Sequence, residues 1–196
     1  YLLILQEVPL GYAGAELVRL LALHPHVEIS GLASVSFEGK GIEEVYPNFK
    51  KMNLPKLANV EDAIAGADVV FASVPHGLSE PLAEQCLASG ALLVDLGADF
   101  RLESEDEYKE WYKKPFDKPE LHDGAVYAQP ELFRENIKDA KIIANPGCYP
   151  TAAALALFPA LKLGFIESDG IIIDAKSGVT GAGRSLTQTT HYPEAN

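Results

Sequence analysis

Cysteine is scarce in this chain of 196 residues, which contains only Cys86 and Cys148. Two cysteines are too few for a disulfide-stabilised scaffold, and such low usage is typical of a protein kept in a reducing cytoplasm. No group of Cys and His residues has the spacing of a zinc site, so we expect no metal. Cys86 falls in a helical pattern, residues 81–89, and we expect it to pack in the core or on a helix face. Cys148 is therefore the candidate reactive thiol.

Positive charge is also in short supply. The chain has 16 Lys and Arg against 28 Asp and Glu, which gives a formal net charge of −12. Nucleic acid is a poor partner for such a protein, and an anionic ligand would need backbone N–H groups and a few placed cations. No apolar run approaches the ~20 residues that span a bilayer, and no signal-peptide pattern is present. We therefore expect a cytoplasmic protein without membrane contact.

Cys148 stands between a strand pattern and a helix pattern. Ile142 and Ile143 predict a strand, and the Ala- and Leu-rich residues 151–161 predict a helix. Pro150 suits its first turn, where a missing N–H costs nothing. The unpaired N–H groups and macrodipole at a helix N-terminus would favour the thiolate form of Cys148. From position alone, a nucleophile and a buried cysteine after a strand are equally good interpretations.

The start of the chain predicts a dinucleotide-binding unit. Residues 2–5 fit a buried parallel strand, and Gly11 to Gly14 lead into a helical pattern. Such a turn brings backbone N–H groups to a pyrophosphate. Val8 stands where the usual fingerprint has its first glycine, with Pro9 and Leu10 after it. On its own, this motif fits a plain strand–turn–helix better than a nucleotide site.

The second predicted strand, residues 27–32, is followed by hydroxyl groups rather than by an acid. A cofactor with a free ribose 2′-hydroxyl usually meets Asp or Glu near this point. Here Ser34 and Ser36 follow, with Lys40 nearby. Hydroxyls and a lysine suit a 2′-phosphate, which favours NADP; the alternative is an ordinary turn.

Two further loops follow predicted strands, where open parallel sheets bind ligands. Residues 73–77, with His76, follow the strand 68–72, and we expect this loop to touch the cofactor or simply to pack. Arg101 follows the strand 92–95. Its guanidinium could clamp a carboxylate or phosphate, or form a structural ion pair with Asp95 or Asp99.

A glycine-rich segment, residues 177–184, follows a predicted strand at 171–174. Such a loop can bring backbone N–H groups close to a ligand. Arg184 at its end is a second candidate anion clamp. The alternative is a flexible connector.

The heptapeptide NPGCYPT, residues 145–151, resembles the active-site signature of N-acetyl-gamma-glutamyl-phosphate reductase, a family of the aspartate-semialdehyde dehydrogenase superfamily. The segments GADFR (97–101) and SGVTGAGR (177–184) match the same family independently. Aspartate-semialdehyde dehydrogenases and carrier-linked glutamyl or aminoadipyl phosphate reductases share much of this pattern, and both remain alternatives. The Pro-Gly pair before Cys148 favours the acetylglutamyl branch. A non-catalytic nucleotide-binding module is the alternative from a different class.

The resemblance implies an α/β fold, with a Rossmann-like doubly wound parallel sheet in an NADP-binding domain over residues 1–147. Residues 148–196 would begin a truncated α+β catalytic and dimerisation domain. The implied protein is a homo-oligomer, a dimer or tetramer, that reduces a small-molecule acyl phosphate with NADPH in arginine biosynthesis through a thioester on Cys148. The family's catalytic histidine has no counterpart here, so we expect the chain to be incomplete and this group to lie beyond Asn196.

The same resemblance implies roles for individual residues. Cys148 would be the nucleophile, and Asn145, Arg101 and Arg184 would bind substrate. The expected cofactor-binding residues lie on the turn and the loops described above; they are Gly11, Tyr12, Ala13, Gly14, Ser34, Ser36, Ser73, Pro75, His76, Ser177, Gly178 and Gly181.

Overall fold

The computed structural model of the chain describes residues 2–5, 11–185 and 187–194. These residues form two compact units, which divide between Asn145 and Pro146. The question of a working turn at Val8, Pro9 and Leu10 lies outside the described residues. Within the described part of the chain, no helix is both long enough and apolar enough to cross a membrane.

The first unit is built on a seven-stranded sheet in which all neighbouring strands are parallel. The strands are β1 (Leu2–Leu5), β2 (Ile29–Ala33), β3 (Leu57–Ala58), β4 (Val69–Ala72), β5 (Leu92–Asp95), β6 (Ala125–Tyr127) and β7 (Ile142–Ala144). Their order is β3-β2-β1-β4-β5-β7-β6, so the winding reverses at β1 and β4. The predicted doubly wound α/β sheet is confirmed. Loops at the carboxyl edge of such a sheet form its ligand-binding crevice.

Six helices belong to this unit within the described residues. They are α1 (Tyr12–Leu21), α2 (Val60–Ile64), α3 (Ser79–Ser89), α4 (Glu105–Tyr112), α5 (Pro119–His122) and α6 (Pro130–Phe133). Local signals set several of their ends. The Asn59 and Ser104 side chains accept hydrogen bonds from the third residue of α2 and α4. Gly90 ends α3 at φ +82°, a conformation that favours glycine.

Two groups of buried apolar side chains stabilise the unit. One contains Val70, Leu93 and Ile142 from three strands together with Leu82 and Cys86 from α3. The prediction that Cys86 packs in the core is confirmed. The other group joins β2 and β3 to α1 and to the segment between β2 and β3; it contains Val18, Leu32, Ile42, Phe49 and Leu57.

The second unit begins with the helix α7, Cys148–Lys162. The sequence predicts this helix from residue 151, but it starts three residues earlier, because Pro150 fits inside the first turn. The strand predicted at 171–174 is wrong: these residues have no regular secondary structure, and Ile172 is 92% exposed. The strand was predicted from apolar residues alone, and none of the described strands pairs with this segment.

Candidate active site

The N-terminus of α1 lies at the carboxyl end of β1, where the glycine turn was expected to bind a cofactor. Gly11 is its N-cap, with extended backbone angles, and the first helical bond runs from Ala15 N to the Gly11 carbonyl. The first N–H groups of a helix have no intrahelical acceptor, and here they belong to Tyr12, Ala13 and Gly14. This arrangement can hold a phosphate.

The end of β2 carries hydroxyl groups and a cation. Ser34 is buried, and its Oγ has no hydrogen-bond partner among the described residues. Ser36 is exposed, and the Lys40 ammonium lies 5.4 Å from the centre of the Phe37 ring. A buried hydroxyl without a partner calls for an explanation such as a ligand or a water molecule. The hydroxyl groups directly after β2 fit a 2′-phosphate, and Glu38 lies further along the same loop.

The loop after β4 is fixed by a buried carboxylate. Ser73 and Pro75 follow the strand, and next to them His76 Nδ1 lies 2.5 Å from Asp99 Oδ1. Asp99 is fully buried and also accepts hydrogen bonds from the backbone N–H of Gly77, at 2.8 Å. The predicted cofactor loop is therefore held in one conformation by a residue that follows β5.

A second buried carboxylate, Asp95, ends β5. It accepts hydrogen bonds from Ser79 Oγ at 2.8 Å and from Gly97 N at 2.9 Å, while its Oδ2 has no partner among the described residues. Burial raises the pKa of Asp95 to about 6; the hydrogen bonds from Ser79 and Gly97 act against this rise.

Arg101 connects the loops that follow β5 and β7. Its Nε donates to the Asn145 carbonyl at 2.9 Å and its Nη2 donates to the Leu96 carbonyl at 3.0 Å. Asn145 N in turn donates to the Asp95 carbonyl at 2.8 Å. The structural ion pair considered for Arg101 is thus replaced by bonds to backbone carbonyls, and these bonds fix the backbone that leads to the cysteine. Substrate binding by Arg101 and Asn145 stays a prediction.

In the second unit, Cys148 is the first residue of α7 and is exposed. The first hydrogen bond of α7 runs from Thr151 N to the Gly147 carbonyl, so the N–H of Cys148 has no intrahelical acceptor. A thiol at this position lies at the positive end of a helix of 15 residues. The unpaired N–H groups at such a position can donate hydrogen bonds to an anionic group.

A cavity of about 530 Å³ surrounds this cysteine within the second unit. Three predicted residues, Ser177, Gly178 and Gly181, line it together with Cys148. A Cβ at Gly181 would lie 2.5 Å from Ser177 Oγ, so the two residues lie close together in this loop. The structure thus brings the glycine-rich segment and the cysteine to one cavity, while Arg184 lies exposed just after it.

Several residues at these sites were not predicted from the sequence. Thr189 and Thr190 line the cysteine cavity. Tyr108 Oη donates to Asp99 at 3.0 Å, and the Lys114 ammonium lies over Gly77. The segment 97–101 that matches the family includes Asp99, but no local sequence pattern indicated a role for Tyr108 or Lys114.

Comparison with protein families gives two matches along the chain. Residues 10–140 match the semialdehyde dehydrogenase, NAD binding domain, and residues 148–196 match the semialdehyde dehydrogenase, dimerisation domain. Similar curated proteins include the N-acetyl-gamma-glutamyl-phosphate reductases of Clostridium beijerinckii, 52% identical, and Brachyspira hyodysenteriae, 53% identical. Each alignment covers 95% of this chain, and 54% or 55% of the relative. The chain therefore spans about half the length of the curated relatives it matches.

Solved structures with the same fold include aspartate semialdehyde dehydrogenase II from Vibrio cholerae, with a TM-score of 0.58 and 20% identity over 82% of this chain and 46% of that one. Another is aspartate semialdehyde dehydrogenase with NADP from Candida albicans, with a TM-score of 0.55 and 15% identity over 82% of this chain and 46% of that one. The resemblance to the N-acetyl-gamma-glutamyl-phosphate reductases is confirmed by the sequence relatives. The first family model alone covers about two thirds of the sequence, and the chain belongs to the semialdehyde dehydrogenase family.

Proposed function

We propose that the protein containing this chain reduces N-acetyl-gamma-glutamyl phosphate to N-acetylglutamate semialdehyde and phosphate with NADPH, in arginine biosynthesis. The observation that carries the proposal is an exposed Cys148 at the start of α7, in a cavity shared with Ser177, Gly178 and Gly181. The names of relatives at 52% and 53% identity support the choice of substrate.

Cys148 is the nucleophile in this proposal. Its thiolate attacks the acyl carbonyl, the bond from that carbon to the phosphate oxygen breaks, and phosphate leaves a thioester behind. The proposed substrate-binding residues are Arg101, Asn145 and Arg184.

The cofactor would be held by residues at the carboxyl edge of the sheet. Bound NADPH supplies the hydride that reduces the thioester. The first N–H groups of α1 would bind its pyrophosphate. The 2′-phosphate would be bound at the end of β2 by Ser34 and Ser36, with Lys40 nearby. On the loop after β4, the proposed cofactor-binding residues are Ser73, Pro75 and His76. Ser177, Gly178 and Gly181 are also proposed to bind the cofactor.

The proposal includes an NADP-binding domain over residues 1–147 and the beginning of a catalytic and dimerisation domain over 148–196. The division of the compact units between Asn145 and Pro146 supports it, as do the two family matches. The match to a dimerisation domain also supports a homo-oligomer, for which we propose a dimer or tetramer in the cytoplasm.

The test is turnover by the full-length protein with N-acetyl-gamma-glutamyl phosphate and with aspartyl phosphate, followed by NADPH absorbance. We expect turnover with the acetylglutamyl substrate and its loss in Cys148→Ser. Cys86→Ser is the matched control and should retain activity, because Cys86 packs in the core. Near-normal turnover by Cys148→Ser would contradict the thioester mechanism. A preference for aspartyl phosphate would contradict the substrate assignment.

A further inference from the structure

Asp99 is the centre of a hydrogen-bond network at the carboxyl end of β4 and β5. Its carboxylate is fully buried and accepts hydrogen bonds from Gly77 N at 2.8 Å, Ser79 N at 3.0 Å and Tyr108 Oη at 3.0 Å. Ser79 is the first residue of α3, so Asp99 also places negative charge at the N-terminus of that helix. One side chain thus fixes the loop after β4 and the helix that follows it.

The same carboxylate orients the His76 ring. Asp99 Oδ1 lies 2.5 Å from His76 Nδ1, and a carboxylate at that distance requires a proton on Nδ1. The Tyr112 ring packs against the imidazole with its centre 4.4 Å away. The His76 side chain stays 31% exposed, whereas the Asp99 side chain is fully buried. The ring therefore has a fixed rotamer and a face open to solvent.

For the other ring nitrogen, Nε2, the one hydrogen-bond partner among the described residues is the Tyr108 hydroxyl. Tyr108 Oη lies 3.4 Å from Nε2 but only 3.0 Å from Asp99 Oδ1, and its single proton goes to the closer, charged acceptor. With Nδ1 protonated and the imidazole neutral, Nε2 carries a lone pair and acts as an acceptor. A ligand hydroxyl or amide could donate to it.

We propose that Asp99 is a positioning residue for the cofactor: it holds His76 in the Nδ1–H tautomer, so that Nε2 accepts a hydrogen bond from a hydroxyl or amide of the nicotinamide half of the dinucleotide. The inference rests on the proposed function. His76 lies on the loop after β4, and in the sheet β4 and β2 lie on opposite sides of β1. The two halves of a dinucleotide bind to opposite halves of a doubly wound sheet.

The variant that tests this is Asp99→Asn in the full-length protein. An amide still offers one oxygen to the backbone donors, but it removes the carboxylate that requires a proton on Nδ1. We expect the Kd for NADPH, followed by nucleotide fluorescence, to rise about tenfold, as for the loss of one good hydrogen bond, with kcat within about twofold of the wild type. His76→Gln should weaken binding similarly, and Asp99→Asn should add less than about twofold in that background, because both act on one contact.

Asp95→Asn is the matched control. Asp95 is equally buried and also bonds Ser79, but among the described residues its hydrogen bonds go to Ser79 and Gly97 and not to His76. We expect its Kd for NADPH to stay within about twofold of the wild type. The two variants thus separate a general disturbance of the strand end from an effect through the histidine.

A second readout does not depend on activity. In protein labelled with ¹⁵N-histidine, long-range ¹H–¹⁵N spectra distinguish protonated from unprotonated ring nitrogens, and His76→Gln identifies the signal. We expect a protonated Nδ1 in the wild type and in Asp95→Asn, and a protonated Nε2 in Asp99→Asn. An unchanged tautomer, or an equal Kd for Asp99→Asn and Asp95→Asn with a wild type that binds NADPH, would overturn the inference alone. A wild type that binds no NADPH would overturn the proposed function as well.

Discussion

His122 Nε2 lies 3.1 Å from Glu80 Oε1, and both side chains are almost completely buried. The second Glu80 oxygen accepts a hydrogen bond from Lys118 N at 2.5 Å, and the His122 ring stacks on Phe116 at a centre-to-centre distance of 3.4 Å. These contacts join the start of α3 to α5, which lies about forty residues later in the chain. We conclude that the Glu80 carboxylate fixes the segment that leads into α5.

Glu80→Ala should therefore destabilise the first unit strongly. The change leaves Lys118 N and the buried His122 without their acceptor, and removal of one member of a buried pair costs about 3 kcal/mol or more. Glu80→Gln should cost less, because its amide oxygen can still accept one of the two bonds. The measurement is urea unfolding followed by circular dichroism.

Glu84→Ala is the control for this prediction. Glu84 lies on the same helix and contacts the same lysine, with Glu84 Oε2 2.8 Å from Lys118 Nζ, but its side chain is exposed. Exposed ion pairs contribute little to stability, so the urea midpoint should hardly move. Equal shifts for Glu80→Ala and Glu84→Ala would show that burial of Glu80 does not matter.

Asp95 makes the stability of the protein depend on pH in a predictable direction. Burial raises the pKa of Asp95 from 3.8 to about 6, so the folded state binds this proton more tightly than the unfolded state does. Protonated Asp95 therefore stabilises the folded state fully below pH 3.8, and this contribution is lost as the pH rises through about 6. Relative to Asp95→Asn, the wild type should lose roughly 2 to 3 kcal/mol of unfolding free energy from about pH 4 to about pH 7.

The pH dependence is measured as the difference between two urea unfolding series, one for each protein. Other carboxylates titrate in both proteins and largely cancel in the difference. A difference that is constant with pH would mean that Asp95 titrates normally in the folded protein, and that its burial is relieved by a movement of the chain.

Local signals in the sequence were enough to predict much of the first unit. Residues 92–95 were predicted as a strand and form β5. The short strands β3 and β6 were not predicted. Leu57–Ala58 has only two residues, and it is a strand because β2 lies beside it, which no local pattern reveals.

For the site too, some features could be predicted from the sequence and others could not. The position of Cys148 at a helix start followed from the residues on either side of it, and the structure places it there. The partner of His76 could not be found in this way, because Asp99 lies more than twenty residues later and reaches the loop only through the pairing of β4 with β5. Thr189 and Thr190 line the cysteine cavity through the tertiary fold of the second unit.

The two thiols should differ sharply in reactivity. Cys148 is exposed, whereas Cys86 is fully buried, and burial raises the pKa of Cys86 to about 12. Because the thiolate is the reactive form, iodoacetamide at neutral pH should label one thiol per folded chain, and peptide mass spectrometry should locate it at Cys148.

Two variants and one denaturant control complete the labelling experiment. Cys148→Ser should abolish labelling of the folded protein, Cys86→Ser should leave it unchanged, and urea should expose the second thiol in the wild type. Slow labelling of Cys148, at the rate of an ordinary exposed thiol, would favour a structural or regulatory cysteine and the non-catalytic alternative.

A side chain at Gly77 should destabilise the protein, mainly through the backbone conformation and to a smaller extent through contact with the flexible end of Lys114. The Gly77 φ of +92° is unfavourable for residues other than glycine, and an added Cβ would overlap the ammonium group of Lys114. Gly90 has a similar φ of +82°, but a Cβ there would meet no atom within 4 Å. Gly90→Ala should therefore cost about 1 kcal/mol, the cost of the backbone conformation alone, and Gly77→Ala should cost more.

Lys114→Ala separates these two contributions. The shorter side chain leaves room for a Cβ at residue 77, so Gly77→Ala should cost less in the Lys114→Ala background than in the wild type, and about as much as Gly90→Ala. Urea unfolding of the four proteins of this double-mutant cycle gives the coupling energy directly. Additive costs would mean that the Lys114 side chain moves away freely. In that case only the left-handed backbone would require a glycine after His76.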